Sequence, residues 1–569
     1  MKPKDLGALR LNLQTMAQQL ENERSTWIPH WQDLADHISP RRYRYVQEER
    51  NQGPKKNHKI IDNTAGLAAR TLSAGIMSGL TSPSRPWFKL LSQNPSNRAS
   101  AGVRRWLEDI EIGMREVFAK SNLYTALPIC YSDLGIFGTH ASLILEDDDD
   151  TIRIHPLPIG SYSLATDAKG RVDTIVRRFS MTARQLVQEF GEENVSSTAL
   201  NAYKNNEKQR GNNGEQWFKV THVVWPNPRP SKSKIDDPMD RPYHSAYYED
   251  GVNQYDDRNL QEKFLRLSGF HEFPGICPRW SVTGEDVYGY GPGFDALPDV
   301  RSLQVLAKRK AQATEKMINP PLVGPSSLIN QRISLLPGDI SYSDAPSGMG
   351  LRALHEVRFD IGAAIEEIRE TQGRVRSAMY QDLFLMLQQI DRKDITATEI
   401  QAREQERMLQ LGPVMERLND ELLDPLIDRT FGIMYRKGMI PEPPKEIQGT
   451  KIKVEYSSIM SQAQKLLGIT SVDRMMGFVG NLSAVSPEVM DNINTDEVTS
   501  AYADMLGVSP KMVRSKEEVL KIRQARAQQA AQQQAVENSA IQAKNAEILS
   551  KTDIQRPSAL TAIAQQMAG

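Results

Sequence analysis

The sequence predicts an α+β fold that is mainly helical. Residues 141–282 alternate apolar and polar side chains as antiparallel strands do, whereas helical periodicity dominates the rest of the chain. The clearest helical stripe lies between residues 353 and 379, where four apolar side chains recur at every seventh position. They are Leu354, Ile361, Ile368 and Val375. One helix cannot bury such a stripe by itself, so we expect other elements to pack on it.

The composition is that of a folded protein with balanced charge. Of the 569 residues, 39% are hydrophobic and 25% are charged, and 70 basic against 71 acidic residues give a formal charge of −1. A protein that grips nucleic acid over its whole surface is usually basic, so the balance argues against that class. Two cysteines, Cys130 and Cys277, make no disulfide framework and indicate a reducing cytoplasm. Neither a signal peptide nor a membrane span is predicted.

Helical patterns dominate the chain before residue 140. The predicted helices span residues 5–38, 60–80, 101–120 and 123–137. Pro29 is expected to break the first of them. Gly75 and Gly79 lie four positions apart and indicate a close helix contact, either between subunits or as tight packing within one fold. The basic and aromatic segment 41–59 is predicted to be a loop, which could touch nucleic acid or simply be solvated.

The β region is predicted to begin with a hairpin and to continue through several strands. The hairpin joins residues 141–146 to 151–155 through four consecutive aspartates, Asp147 to Asp150. Those aspartates lack calcium-loop spacing, which favours a solvated turn over a metal site. The further predicted strands are 161–165, 172–179, 217–225, 243–248, 264–267 and 277–282, with a short helix at 183–190.

A glycine-rich stretch, Val287 to Phe294, precedes a long helix predicted at 295–318. Glycines before a helix can cradle a phosphate, but Pro292 removes one amide donor and no Walker Gly-Lys-Ser/Thr motif occurs in the chain. A hinge that leads the chain into the helix is the better interpretation. Two prolines are expected to end that helix. Residues 319–352 are predicted to form a compact connecting segment with short β-like runs before the next helix, 353–379.

The helical pattern fails at Tyr380, and the stretch from there to Lys393 contains a compact apolar patch. The patch consists of Leu383, Phe384, Leu385, Met386 and Leu387, and Arg392 and Lys393 follow it. A soluble protein does not leave such a patch on a free loop, so either it belongs to the core or it has a special environment.

A second long helix is indicated by Thr396 and Glu399, which have capping-box spacing. Pro413 and Pro425 lie inside its apolar pattern and are expected to kink it. A strand is predicted at 452–456, and the tail from 515 to 534, rich in alanine and glutamine, is expected to form an exposed or partner-dependent helix, or to be disordered.

Motifs of catalytic sites are missing from the sequence. We find no HExxH, GxSxG, CxxC or GxGxxG motif, and His355-Glu356 lacks a second histidine one helical turn on. We therefore predict no catalytic residue, no metal site and no cofactor.

Several short motifs stand in a fixed order along the chain. They are Tyr288-Gly-Tyr-Gly-Pro-Gly, Asn319-Pro-Pro321, Thr396-Ala-Thr-Glu399-Ile, Gly412-Pro413 and Leu506-Gly-Val508. In this order and spacing they resemble the head-to-tail connector (portal) family of short-tailed phages, over nearly the whole chain. The resemblance implies a ring, commonly of twelve subunits, at one capsid vertex. It implies a wing (1–290), a first stem helix (291–318), a clip (319–352), a second stem helix (353–379), a channel loop (380–395), a wing with a long kinked helix (396–500) and a crown (501–569).

The resemblance also implies the partners and the place of action. They are other copies of the chain, the major capsid and scaffolding proteins, the terminase, tail adaptor and tail proteins, and double-stranded DNA held non-specifically in the channel. The site of action is the portal vertex of the virion, with assembly in the host cytoplasm. The apolar patch 383–387 would then narrow the channel, with Arg392 and Lys393 meeting phosphates only transiently. In the ring, the stripe from Leu354 to Val375 would pack against neighbouring subunits. Two alternatives remain: a DNA-packaging or DNA-processing enzyme, such as a terminase subunit or nuclease, and a helical scaffold or adaptor.

Overall fold

The computed structural model describes most of the chain in two compact units, Met1–Ser461 and Gln462–Gly569. The described ranges are 3–42, 58–93, 100–208, 216–230, 237–250, 264–320, 322–324, 352–353, 360–384, 411–447, 452–456, 474–482 and 516–550, with isolated positions between them. The first unit holds every described strand. The mixture of helices and sheets confirms the predicted coarse fold class.

The helices of the first unit with described bounds are α1 (Pro3–Ser25), α2 (Ile28–His37), α3 (Thr64–Leu80), α4 (Ala101–Lys120), α5 (Leu123–Phe137), α6 (Ala183–Phe190), α7 (Ser197–Lys208), α8 (Pro292–Ile318), α9 (Ile361–Ala378) and α10 (Asp424–Arg436). Pro29 stands in the first turn of α2, where its missing N–H is not needed, so the chain breaks just before it. In the second unit, α11 (Lys516–Ser550) exposes its described side chains from 523 to 545.

The described strands form four antiparallel sheets. The strands are β1 (Phe88–Ser92), β2 (Ala141–Asp147), β3 (Thr151–Leu157), β4 (Tyr162–Thr166), β5 (Val172–Thr182), β6 (Trp217–Pro226), β7 (Tyr243–Glu249), β8 (Arg266–Phe270), β9 (Gly275–Ile276), β10 (Leu322–Val323), β11 (Arg352–Ala353) and β12 (Ile452–Tyr456). Their orders are β4-β5-β6-β7-β8, β3-β2-β9, β1-β12 and β10-β11. The largest sheet is a meander, because consecutive strands are neighbours throughout.

The five-stranded sheet is covered on both faces. Helix α1 places Leu13 and Ala17 against one face, in a cluster with Val223 and Tyr248. Helices α6 and α7 cover the other face with a cluster that includes Leu186. Alternate residues of each strand point to opposite faces, so consecutive residues of a strand are all buried when both faces of the sheet are covered, as in Val220–Val224.

Two of the sequence-predicted elements need correction, and one strand was missed. The strand expected at 277–282 is replaced by β9 and two isolated bridges, because Pro278 has no N–H to donate to a ladder. The helix expected from 353 begins at Ile361, since 352–353 forms β11 and Asp360 caps the helix by accepting bonds from Gly362 and Ala363. The strand β1 was not predicted, because its partner β12 lies far away in sequence.

The long helix after residue 410 is irregular where a proline was expected to disturb it. Residues 411–418 are helical, and a π-helical turn, Asn419–Leu423, leads into α10. Pro425 stands in the first turn of α10 and has no N–H for the carbonyl of Glu421. The wider π turn accommodates that missing bond, as π-bulges do elsewhere.

The acidic tip of the hairpin β2–β3 is a tight turn. A carboxylate oxygen of Asp147 accepts hydrogen bonds from the backbone N–H groups of Asp150 and Asp149, both at 2.9 Å. These bonds, the one from Asp150 above all, lower the pKa of Asp147. The predicted hairpin is therefore confirmed, and the first of its four aspartates holds the turn together.

The two ends of the predicted basic loop 41–59 pair with acidic side chains. Arg42 bonds the buried carboxylate of Asp133 at 2.6 Å, and Lys59 bonds Asp36 at 2.7 Å. The residues between them, 43–57, lie outside the described ranges.

His222 lies buried under α6 and α7 in a network that keeps it neutral. Its Nδ1 accepts a bond from Arg177 at 3.0 Å, its Nε2 lies 3.0 Å from the Ser245 hydroxyl, and its ring stacks on Tyr247 at 3.8 Å. Burial first, and then the nearby positive charges of Arg177 and Arg266, lower the pKa of His222 well below 6.5.

This network predicts a pH dependence. Below its ordinary pKa the unfolded histidine takes up a proton that the folded one refuses, so stability falls as the pH falls. Between pH 7.5 and 5.5, we expect the free energy of unfolding of the subunit to drop by about 1.4 kcal/mol more than it does in His222→Gln. Urea unfolding at the two pH values measures this, and equal drops in both proteins would contradict it.

Candidate functional site

Helices α8 and α9 form an antiparallel pair that leaves the body of the first unit and returns to it. Asp299, early in α8, bonds Arg374, late in α9, at 3.2 Å. Beyond the other end of the pair, Leu322 is the strand partner of Ala353. The chain therefore runs out along α8 and comes back along α9.

The two halves of this pair are buried to very different degrees. The buried residues of α8 all lie between Pro292 and Gln304, and none lies in 305–318. In the outer half, Val305, Met317 and Ile318 are exposed. The inner half is thus anchored in the chain's own core, whereas the outer half carries apolar surface that the described part of the chain leaves exposed.

A glutamine and an aspartate tie the inner half of the pair to the segment before α3. The side-chain oxygen of Gln304 accepts bonds from the backbone N–H groups of Ile61 and Asp62 at 2.7 and 2.8 Å, and its amide nitrogen donates to the Asp62 carbonyl at 2.9 Å. From α9, Gln372 donates to the Asp62 carboxylate at 2.8 Å. Buried polar groups satisfied in this way hold both helices at fixed positions. No sequence signal indicated this contact.

The glycine-rich stretch before α8 is a close backbone contact with the end of α5. A Cβ on Gly291 would lie 2.5 Å from the carbonyl oxygen of Leu134, and one on Gly293 would lie 2.3 Å from that of Ile136. No side chain fits there. This favours the predicted hinge over the phosphate cradle, because the glycines face protein backbone.

Tyr288 fixes the start of this hinge in a cluster of aromatic rings. Its ring lies 5.1 Å from Trp31 and 5.9 Å from Trp27, and its hydroxyl accepts a bond from the Leu164 N–H at 3.1 Å. Burial raises the pKa of Tyr288 to about 12, so its hydroxyl stays protonated.

A buried arginine connects the same region to the π-helical turn. Arg279 donates to the Glu421 carboxylate through Nη2 at 2.6 Å and Nε at 3.2 Å, and its backbone N–H bonds the same group at 2.9 Å. Its side chain also reaches the carbonyls of Gly170 and Val287. One guanidinium thus joins the meander sheet, the hinge and the long helix, which suits its fixed planar donors.

The start of the predicted channel loop is part of the core. Leu383 and Phe384 are 2% and 1% exposed, and the Phe384 ring packs on Gly75 of α3, where an added Cβ would lie 2.2 Å away. Tyr380 turns the chain with φ of +54° and packs on Trp280 at 5.9 Å. The prediction that Leu383 and Phe384 are loop tips in a channel is therefore wrong for these two residues. The small side of α3 serves packing within one fold.

Several predicted site residues lie outside the described ranges. They are Leu354, Leu385, Met386, Leu387, Arg392, Lys393, Thr396 and Glu399. Their predicted roles in the stem, the channel loop and the helix cap stay predictions.

The predicted stem stripe also needs a correction. Ile368 and Val375 are 8% and 0% exposed in the single chain, and Thr371 between them is buried too, while Ile361 is half-buried. Helix α9 packs against α8 and α3 with this face. Ile368 and Val375 are therefore covered by their own subunit, and the expectation that they pack against a neighbouring subunit is wrong for these two residues.

Two acidic residues of α10 with raised pKa values lie near its contact with β12. Burial raises the pKa values of Asp424 and Asp428, and Asp424 accepts a hydrogen bond from the Tyr456 hydroxyl, which joins α10 to β12. No three described histidine, cysteine or acidic side chains are grouped as metal ligands. Among the described helices, none combines the length and apolarity of a membrane span.

Comparison with known proteins identifies the family. Residues 10–513 match the family model described as bacteriophage head to tail connecting protein, and the chain belongs to this family. It is 46% identical over 548 residues to the portal protein of Salmonella phage epsilon15, covering 96% of each chain. It is 40% identical over 555 residues to a probable portal protein of Bordetella phage BPP-1, covering 97% of each. This confirms the resemblance and a head-tail connector function.

A solved structure described as the virion of a native gene transfer agent particle also aligns with the chain. The alignment covers 78% of this chain and 94% of the other, at 9% identity and a TM-score of 0.33. A match at this level does not establish a shared fold.

The burial of the α9 stripe makes a prediction that separates folding from assembly. Ile368→Asp places an unpaired carboxylate in the subunit core, which we expect to lower the free energy of unfolding by roughly several kcal/mol. Circular dichroism melting of the isolated subunit measures this, and Arg369→Asp, at the exposed next position, is the matched control. A subunit with Ile368→Asp that melts like wild type but no longer assembles would place the stripe between subunits instead.

Proposed function

We propose that twelve copies of this chain form a ring at one capsid vertex and that double-stranded DNA passes through it during packaging and ejection. The observation that carries the proposal is the α8–α9 pair, whose inner half is anchored and whose outer half exposes Met317 and Ile318. In a ring, adjacent pairs would stand side by side and cover this surface, because closed rotational symmetry repeats one contact around the axis. The family membership supports the same conclusion.

The regions of the chain would then have the roles that the family implies. Residues 1–290 and 396–500 would form the wing, and α8 and α9 the stem. Residues 319–352 would form the clip, whose ends are joined by β10 and β11. Residues 501–569 would form the crown.

The partners would follow from the position of the ring. Major capsid and scaffolding proteins would surround the wing, the terminase would dock during packaging, and tail adaptor and tail proteins would replace it. The ring would act in the virion after assembly in the host cytoplasm. The relatives are named for a structural role, so we propose that the ring itself is no enzyme.

Negative-stain microscopy of the purified chain tests the ring. We expect closed rings with an axial hole, since the uncovered outer half of the pair needs a neighbour. An ATPase assay on the same preparation, free of terminase, tests the alternative of a packaging enzyme. Monomers at all concentrations, or nucleotide turnover abolished by a substitution in this chain, would contradict the proposal.

We further propose that the segment after Phe384, up to Lys393, is the channel loop, with Leu383 and Phe384 as its anchor. Both anchors are buried, and Phe384 is fixed by the small side of Gly75, so the root of the segment cannot shift easily. Apolar residues beyond the anchor would give DNA little to hold. Arg392 and Lys393 would meet phosphates in contacts weakened by salt.

Because Leu383 and Phe384 belong to the core, a deletion that spares them tests the channel loop without disturbing the fold of the subunit. We expect removal of residues 385–387, with both anchors kept, to leave ring assembly intact and to reduce the DNA retained in particles. Phe384→Ala, in contrast, is expected to destabilise the subunit by roughly 3–5 kcal/mol through a cavity. Encapsidated DNA and subunit melting are measured for both variants. Full DNA retention in the deletion variant would reject the gating role.

A further inference from the structure

One exposed face of α8 carries only positive charge. We call it the basic stripe, and it consists of Arg301, Val305, Arg309, Gln312 and Lys316. The spacings of four, four, three and four place these residues on one side of a helix, and all five are exposed. Lys308 and Glu315 lie beside the stripe, and their opposite charges balance each other. The stripe itself holds three cations and no acidic residue.

Beyond Arg301, the basic stripe lies on a side of α8 that its own subunit leaves exposed. The buried residues of α8 in the same region, Val300, Leu303 and Gln304, lie on the opposite side of the helix. Arg301, at the inner end, is engaged by Asp33 of α2. Asp299, which contacts α9, is not on the stripe.

Helix α9 is different, because its charges balance and pair. It carries three glutamates and three arginines. Arg369 lies 3.8 Å from Glu366, and Arg374 lies 3.0 Å from Glu370 and 3.2 Å from Asp299. Exposed ion pairs of this kind contribute little to stability. Because the positive and negative charges on α9 are equal in number, this helix has no net positive charge with which to attract an anionic partner.

We propose that α8, rather than α9, faces the axis of the ring and that the basic stripe contacts DNA phosphates there. This rests on the proposed DNA conduit and adds which helix lines it. DNA presents a phosphate about every 1.7 Å along its axis, so a ring of stripes meets negative charge at every position of the moving duplex. Flexible arginine and lysine side chains bind phosphates without reading bases. Arg309 and Lys316, the two stripe cations beyond the Arg301–Asp33 pair, are separated by about 10 Å of helix, so each stripe would follow less than one turn of the duplex, which rises by about 34 Å.

Cross-linking tests which helix lies next to DNA. Both native cysteines, Cys130 and Cys277, are buried, so a cysteine at an exposed position can be labelled alone with a benzophenone reagent. Gln312→Cys places the label on the basic stripe, and Ala363→Cys places it at an exposed position of α9 at a similar height. Rings are cross-linked in particles stopped while DNA is entering. We expect at least tenfold more DNA cross-linking from Gln312→Cys than from Ala363→Cys.

The outcomes separate this inference from the proposed function. Stronger cross-linking from Ala363→Cys, no cross-linking from either position in DNA-filled rings, or cross-linking of Gln312→Cys to a protein alone would overturn the assignment of α8. Failure to form rings, or rings that never hold DNA, would overturn the conduit itself.

A charge test provides a second, independent measurement. Arg309→Gln with Lys316→Gln removes stripe cations, and Arg369→Gln with Arg376→Gln removes the same charge from α9. DNA binding by the purified ring is measured at several salt concentrations. We expect the log–log salt slope to fall by about 0.9 for each phosphate that the stripe variant no longer neutralises, and to change little in the control. The reverse pattern would overturn the inference.

Discussion

The direction of α8 depends on one close backbone approach. The hinge before α8 passes so near the end of α5 that Gly291 and Gly293 leave no space for a Cβ. Two backbone N–H groups of the hinge also donate hydrogen bonds: that of Gly289 to the Thr139 hydroxyl at 2.8 Å, and that of Tyr290 to the Ser281 carbonyl at 2.9 Å. Any larger side chain would push the hinge outward and tilt the helix that follows. Because α9 packs on α8, the position of the whole helix pair follows from this contact.

Charged and polar side chains then join elements that are distant in sequence around the hinge. Arg279 connects the hinge to the long helix through Glu421, and Gln304 connects α8 to the segment before α3. Arg279 and Gln304 are both buried, so removing the partner of either would be costly. Such contacts fix geometry more than they add stability, which suits a helix pair that is held at a defined angle to the rest of the first unit.

The buried anchor at Leu383 and Phe384 changes how the interrupted stretch is understood. Leu383 and Phe384, at the start of the apolar patch, are buried in the core of the single chain. The residues of the patch after Phe384 have a proposed role only in the assembled ring. A core residue and a channel residue look the same in sequence when both are apolar. The contact with Gly75 distinguishes them, since it requires a helix far away in the chain.

The sequence by itself determined the local elements, because these depend on periodicity and on neighbouring residues. The helices α4, α5 and α6 and the hairpin β2–β3 fall where the pattern predicts them, and the motif order identified the family. Only the tertiary structure decided which elements cover the apolar face of α9, where that helix begins and what Phe384 contacts. It also revealed β1 with its partner β12, and Gln304 with Asp62. Those contacts join residues hundreds of positions apart, and no local pattern of side chains records such a pairing.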